Sequence, residues 1–225
     1  MPKITSVEPQ RRSASRRTKR FNVFLDGIFA FGADEDLVVN RRLVVGKVIT
    51  PNDLEKILFE AEVGKLMERM YRWFSLRQHS EKEVRDYFKI KNQQSKIKGK
   101  EQISQLTIDA LVENLKKKGM INDLEFTKAW VEARRKSKNL GIRALRMELY
   151  KKGIDKEIIE EVLSEPFDFT QGEEELAKQA LEKKMRVWKN LNHLEFNKKA
   201  YEFLARKGFE YEVIKETIEK LAGKE

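Results

Sequence analysis

The chain has 225 residues, is 40% hydrophobic and 37% charged, and sets 47 Lys+Arg against 37 Asp+Glu for a net charge of +10. It can bury a core, and its basic excess favours a polyanionic partner: nucleic acid, or the acidic face of another protein. With no cysteine, disulfides, thiolate catalysis and Cys-based zinc sites are excluded. No apolar run reaches the ~18 residues of a membrane span, and the basic start MPKITSVEPQRRSASRRTKR lacks the apolar centre of a secretory signal, so a cytoplasmic protein is expected.

In chain order, Ile4 to Glu8 reads as a strand. Residues 20–32, RFNVFLDGIFAFG, read as a hairpin around Asp26-Gly27, a preferred pair for a two-residue type I′ turn. Between them, residues 11–20, RRSASRRTKR, carry six basic residues and nothing apolar larger than Ala14. They read as a flexible basic loop, and Arg11, Arg12, Arg16 and Arg17 are candidate phosphate contacts. Residues 34–43 suggest a short helix. Thr50, Pro51 and Asp53 supply an N-cap, a first-position proline and a first-turn acid for the next one.

From about residue 53 the apolar period is helical. Val63, Leu66, Met67, Met70 and Phe74 share one face, and Ser80 with Glu83 forms a capping box. EVRDYF (83–88) continues as helix, and the polar, basic KIKNQQSKIKGK (89–100) reads as a solvated loop. Further faces are Ile108, Leu111, Val112 and Leu115, then Phe126, Ala129, Trp130 and Ala133. Ala177, Leu181, Lys184 and Trp188 follow the same spacing.

Two segments repeat. ELYKKGIDKEIIEEVL (148–163) and FLARKGFEYEVIKETI (203–218) align at an offset of 55 and share Lys152/Lys207 and Gly153/Gly208. The glycines are expected to end helices in the left-handed conformation, with the lysines in the last turn, where the dipole favours cations. A longer helix containing Trp130 or Trp188 precedes each copy, so the unit is three helices. With a fainter upstream copy this makes three tandem repeats, which bury together what one cannot bury alone. The expected divisions are a small module at 1–52 and repeats at 53–119, 120–168 and 169–225.

The charge is polarised. Residues 115–152 hold twelve Lys/Arg and four Asp/Glu, whereas 153–182 hold two and ten. ARRKSK (133–138) and GIRALRMELYKK (141–152) gather Arg134, Arg135, Lys136, Lys138, Arg143 and Arg146 in one helix–turn–helix step, either as a solvated face or as a phosphate- or carboxylate-binding surface. His79 and His193, the only histidines, belong to no metal-ligand spacing, and no phosphate loop or nucleophile elbow occurs. Trp73, Trp130 and Trp188 are expected to pack in cores. Neither catalysis nor a cofactor is expected.

The order of these features resembles the RecX family, regulators of the RecA recombinase. LVENLKKKGMINDLEFTKAWVEARRKSKNLGIRALRMELYKKGIDKEIIEEVL (111–163) carries most of the likeness. FLARKGFEYEVI (203–214) is similar to the family's last repeat and SEKEVRDYF (80–88) to its first. ITSVEPQ, FNVFLDGIFAFG and an acidic short helix fit its front end. The resemblance implies a mainly α fold of tandem three-helix repeats in an elongated, curved array, with a small N-terminal β-hairpin module. It implies a monomeric, non-enzymatic regulator in the groove of the RecA–DNA filament that inhibits strand exchange and co-protease activity in DNA repair and the SOS response. Weak, sequence-independent contact with DNA accompanies it. The segment 89–100 is longer and more basic than the family's usual turn, and Met120-Ile121-Asn122-Asp123 lacks the common aromatic. The rival reading is a helix-turn-helix transcriptional regulator, since Arg on a second helix also describes sequence readers.

Overall fold

Asp26 and Gly27 take φ of 49° and 82°, the pair of positive values that a type I′ hairpin requires. The turn joins β2 (Arg20–Leu25) to β3 (Ile28–Asp34), and β1 (Ile4–Pro9) pairs with the other side of β2, giving an antiparallel sheet of order β1-β2-β3. These come from a computed structural model, which describes residues 1–10, 19–164, 172–188 and 191–222. Val23 and Leu25 on β2 and Phe31 and Ala33 on β3 alternate inward and share a core with Ile4, Leu37, Leu43, Ile49, Ile57 and Ala61.

Helix α1 (Glu35–Asn40) is capped by Asp34, whose Oδ1 accepts from Leu37 N at 2.8 Å. It is shorter than the expected 34–43, because Arg42 turns left-handed (φ 46°) and Leu43 N folds back onto the Val38 carbonyl at 2.9 Å, burying Leu43. Helix α2 (Pro51–Phe74) opens as expected, with Asp53 N donating to Thr50 Oγ1 at 3.1 Å. Ile57 and Ala61 face the sheet core. Val63, Leu66, Met67 and Met70 face a second core, with Val84 and Phe88 of α3 (Glu81–Ile97) and Ile108, Leu111, Val112 and Leu115 of α4 (Gln105–Lys117).

The expected solvated loop at 89–100 is corrected: α3 runs on to Ile97, and Gly99, at φ 61°, follows the stop. Nothing before Gly99 breaks a helix, and Lys and Gln are good helix formers. Asn92 fixes the return, its amide exchanging two hydrogen bonds with the Ile103 backbone at 2.8 and 2.9 Å.

The chain divides into two compact units. Met1–His79 with Val84–Ile121 makes the first, and Ser80–Glu83 with Asn122–Glu225 the second. In the second, α5 (Asp123–Lys138), α6 (Ile142–Lys151) and α7 (Lys156–Ser164) enclose Phe126, Val131, Leu145, Leu149, Ile154, Ile159 and Val162. The face expected through Ala129 and Ala133 is corrected. Both alanines are exposed, and Thr127 and Val131 are buried instead. Thr127 enters without a polar penalty because its hydroxyl donates to the Asp123 carbonyl at 2.6 Å.

A further core in this unit joins α8 (Glu173–Met185), α9 (His193–Lys207) and α10 (Tyr211–Ala222) around Leu176, Ala177, Ala180, Leu181, Ala200, Leu204, Phe209 and Ile214. Trp188 lies past the end of α8 rather than within it, and meets Phe196 and Phe203 edge-on at 6.3 and 5.9 Å. The fold is thus mainly α, with a small antiparallel sheet followed in the chain by three-helix units. No helix among the described residues is long and apolar enough to cross a membrane.

The repeated Lys-Gly has two jobs. Gly153 and Gly208 are left-handed, at φ 77° and 85°, as expected. Each also sits where another helix begins. Gly141 N and Arg143 N, at the start of α6, donate to the Lys207 and Gly208 carbonyls at 3.0 Å each. At the other end of α6, Ser80 Oγ and Lys82 Nζ donate to the Lys152 and Lys151 carbonyls at 2.7 and 2.9 Å, and Lys152 pairs with Glu83. The carbonyl end of α9 meets the amide end of α6, and the carbonyl end of α6 meets residues that open α3. Orphan donors and acceptors satisfy each other, and the negative end of one helix dipole meets the positive end of another where α9 reaches α6.

Candidate functional site

The last two turns of α5 and the first turns of α6 present the six cations singled out in the second repeat, and packing divides them. Arg134 Nε binds Glu148 Oε2 at 2.7 Å, and its guanidinium lies 4.1 Å from the Trp130 ring centre. Trp130 Nε1 donates to the same carboxylate oxygen at 2.9 Å, and Lys152 Nζ lies 4.7 Å from the same ring. Trp130 is therefore the centre of an ionic network as well as a core residue. Arg146 grips Glu160 through Nε and Nη2 at 2.8 and 3.0 Å, and that fork holds the Glu160 carboxyl below its usual range. Arg135 turns inward, 3.6 Å from Glu173, with the two side chains only 19% and 16% exposed.

Lys136, Lys138 and Arg143 remain. All three are exposed and form no ion pair with the described residues. The spacing of Arg134, Arg135, Arg143 and Arg146 between core positions predicts that their heads reach water, and this is corrected for three of them: Arg134, Arg135 and Arg146 serve intramolecular pairs, and Arg143 faces solvent with Lys136 and Lys138. Arg11, Arg12, Arg16 and Arg17 lie outside the described residues.

A second group of cations escapes sequence inspection because three helices contribute to it. Lys207 Nζ donates to the Lys138 carbonyl at the end of α5. Lys207 and Lys184 both lie over the Phe203 ring, at 5.4 and 5.6 Å from its centre. Burial pushes the Lys207 ammonium down, and so do Lys183, Lys184 and Lys138 around it. Lys207 has only its helix-end position to mark it, Lys184 its place in the spacing of Ala177, Leu181 and Trp188, and Lys183 nothing beyond its charge.

The Arg135–Glu173 pair has poor geometry. Glu173 Oε2 accepts from Ile142 N at 3.4 Å, while Glu173 Oε1 and Arg135 Nε are buried without a hydrogen-bond partner among the described residues. Burial pushes the Glu173 carboxyl up from its ordinary 4.5; Ile142 N–H and Arg135 oppose this, and Glu210 adds to it. The folded state then holds the proton more tightly than the unfolded one. The stability Glu173 contributes is full below the ordinary range and is lost as pH rises through the folded value. In denaturant titrations from acid to neutral pH, Glu173→Gln is expected to lose this segment of pH dependence, so that its stability relative to wild type rises with pH and then levels. A difference that stays constant with pH would show that Glu173 titrates normally.

The geometry also bears on sequence reading. A recognition helix inserts its N-terminal residues into the major groove. The backbone amides at the start of α6 are engaged by the Lys207 and Gly208 carbonyls, while the Arg143 side chain there is exposed.

Comparison with known proteins places these features. Residues 2–50 match the family model described as the regulatory protein RecX N-terminal domain. Residues 122–163 match the RecX second three-helix domain, and 172–218 the third. The chain is 34% identical over 221 residues to the regulatory protein RecX of Bacillus subtilis, covering 98% of this chain and 78% of that protein. It is 33% identical over 219 residues to that of Bacillus velezensis, covering 97% and 77%, and 32% identical over 213 residues to one from Listeria monocytogenes, covering 95% and 73%. Among solved structures, a crystal structure of regulatory protein RecX aligns with a TM-score of 0.71 at 23% identity, over 96% of this chain and 98% of that one. RecX from Lactobacillus salivarius aligns with a TM-score of 0.58 at 22% identity, over 72% and 97%.

Proposed function

The chain belongs to the RecX family of regulatory proteins, and on that premise we propose that it is a non-enzymatic regulator that binds the groove of the RecA–DNA filament. There it inhibits strand exchange and co-protease activity during DNA repair and the SOS response. The protein acts as a cytoplasmic monomer, and the module 1–52 and the repeats 53–119, 120–168 and 169–225 are its working parts. A chain of several repeats can meet more than one filament protomer, and each added contact is made at the effective concentration set by the first. The observation that supports a binding face in the second repeat is the exposed, unpaired trio Lys136, Lys138 and Arg143. Few Asn or Gln lie near Arg143 and Arg146 to read adenine, which disfavours the rival helix-turn-helix reading.

The test is charge reversal at two of the solvent-facing positions. Lys136→Glu with Arg143→Glu should keep wild-type helical content, since exposed substitutions of this kind usually stay within about 0.5 kcal/mol each. Co-sedimentation with preformed recombinase filaments should weaken at least ten-fold, and inhibition of strand exchange should be lost, because each head becomes a like charge facing its partner. Lys215→Glu, in a segment where acids are interspersed, is the control. Wild-type inhibition by the double variant would reduce the trio to a solvated face. A sharp consensus from operator selection would favour the rival reading.

A further inference from the structure

We propose that Lys138, Lys183, Lys184 and Lys207 form a phosphate-binding site for the DNA backbone, built where the ends of α5, α8 and α9 meet. The inference rests on the filament-binding reading for its setting and adds a DNA contact to it, on residues that the sequence alone did not bring together.

Three observations carry it. The first is convergence. Lys207 is tied to the Lys138 carbonyl, and Lys207 and Lys184 share the Phe203 ring. Sequence positions from 138 to 207 are thereby drawn to one place. The second is the absence of compensation. Elsewhere in this unit Arg134, Arg135, Arg146, Lys152, Lys178 and Lys220 each meet a carboxylate. Among the described residues no carboxylate pairs with any of these four lysines, and Lys183, Lys184 and Lys138 all act on Lys207 in the same unfavourable direction. Gathered like charges cost folding energy, and an anion shared between them offsets that cost. The third is residue type. A compact ammonium is a point charge suited to phosphate oxygens, whereas recognition of carboxylates favours the planar Arg fork. Three arginines of this unit, Arg134, Arg146 and Arg135, are turned to Glu148, Glu160 and Glu173, whereas the groups gathered here are all lysines.

The Phe203 ring gives the site rigidity. It underlies two of the ammoniums and packs against the core of the third repeat beside Trp188. Lys184 and Lys207 are therefore steadied by the ring, which lowers the entropic cost of binding at those two positions.

The test needs no recombinase. A labelled single-stranded oligonucleotide and its duplex are titrated by fluorescence anisotropy across a range of salt. The wild type is compared with Lys138→Gln/Lys183→Gln/Lys184→Gln, three exposed helical positions whose removal leaves Lys207 and its tie in place. Circular dichroism and thermal melting confirm the fold. Each lost phosphate contact takes about 0.7 from the slope of log K against log salt for a single strand and about 0.9 for a duplex. A fall of roughly 2 to 3 in slope is expected, with at least a ten-fold loss of affinity at low salt. A control of equal charge, Lys198→Gln/Lys199→Gln/Lys215→Gln, should keep a slope close to wild type. An unchanged slope in the first variant, or equal falls in both, would overturn the site. If the slope holds, the DNA assignment is wrong, whether or not filament binding also weakens through Lys138, which belongs to the trio named above. Should the wild-type protein fail to bind filaments at all, the function proposed above falls, while this titration still decides the lysine site.

Discussion

Gly208→Ala is expected to lower the unfolding free energy by roughly 2–5 kcal/mol, a large share of the ~5–15 kcal/mol that holds an ordinary domain together. Two costs add. At φ 85° a Cβ meets the backbone of its own turn, for about 1–2 kcal/mol. The new Cβ would also lie 2.2 Å from Ala144 N and 2.4 Å from Ala144 Cβ. Those atoms belong to the first turn of α6, so relief means moving the helix, and forced overpacking of this kind costs about 1–3 kcal/mol more. Separation of the helix ends would further strand Gly141 N and Arg143 N, which now bond the Lys207 and Gly208 carbonyls. Gly153→Ala should cost less. Its Cβ would meet Lys82 Cβ at 2.7 Å and Lys82 Cδ at 2.8 Å, and a lysine side chain can give way in part. Denaturant midpoints of the two variants should therefore fall in the order wild type, Gly153→Ala, Gly208→Ala. A Gly208→Ala midpoint equal to wild type would mean that the joint between α6 and α9 does not contribute to stability.

The same joint marks how far a sequence carries a structural argument. The Asp26-Gly27 turn, the Thr50 cap and the left-handed glycines could all be read in advance, because each is a local preference of a few neighbouring residues. That Gly208 must also be bare toward Ala144 could not, since the requirement crosses 64 positions of chain. The extension of α3 through residue 97 is hidden in the sequence for a related reason. Polarity reads as a loop signal, although Lys, Gln and Asn line an exposed helix equally well. In α5, spacing alone could not choose between a face with Ala129 and Ala133 and one with Thr127 and Val131. The hydroxyl bond of Thr127 and the larger apolar surface of Val131 decide it.

The candidate site divides along the same line. The basic excess of 115–152 was plain in the residue counts, but its use depends on where the carboxylates arrive. Glu148 reaches Arg134 and Glu160 reaches Arg146 across helix pairs, 14 positions away in each case. Such pairing follows from packing angles and has no periodic signature. The lysines around Phe203 come from three separate helices and share only their final location.

Arg135 and Lys136 are neighbours in sequence, and their reversal should have opposite consequences. Arg135→Glu would place a second carboxylate beside Glu173, where both side chains are less than a fifth exposed. Glu173 already pays for its burial with a raised carboxyl, and Arg135 is one of the two groups that hold it down. Breaking a fully dry pair costs about 3–5 kcal/mol, and the residual exposure here reduces that to roughly 2–4 kcal/mol. The variant should unfold at a clearly lower denaturant midpoint, and its failure to bind filaments would then say nothing about an interface. Lys136→Glu, one residue on, faces solvent and has no carboxylate to lose. Its midpoint should match wild type, so any loss of filament binding reports the surface itself. A single charge is expected to weaken binding several-fold, less than the double reversal with Arg143. If Arg135→Glu keeps the wild-type midpoint, the pair with Glu173 is not formed in solution, and Arg135 joins the outward cations. If Lys136→Glu also binds filaments normally, the surface that engages the partner lies elsewhere in the chain.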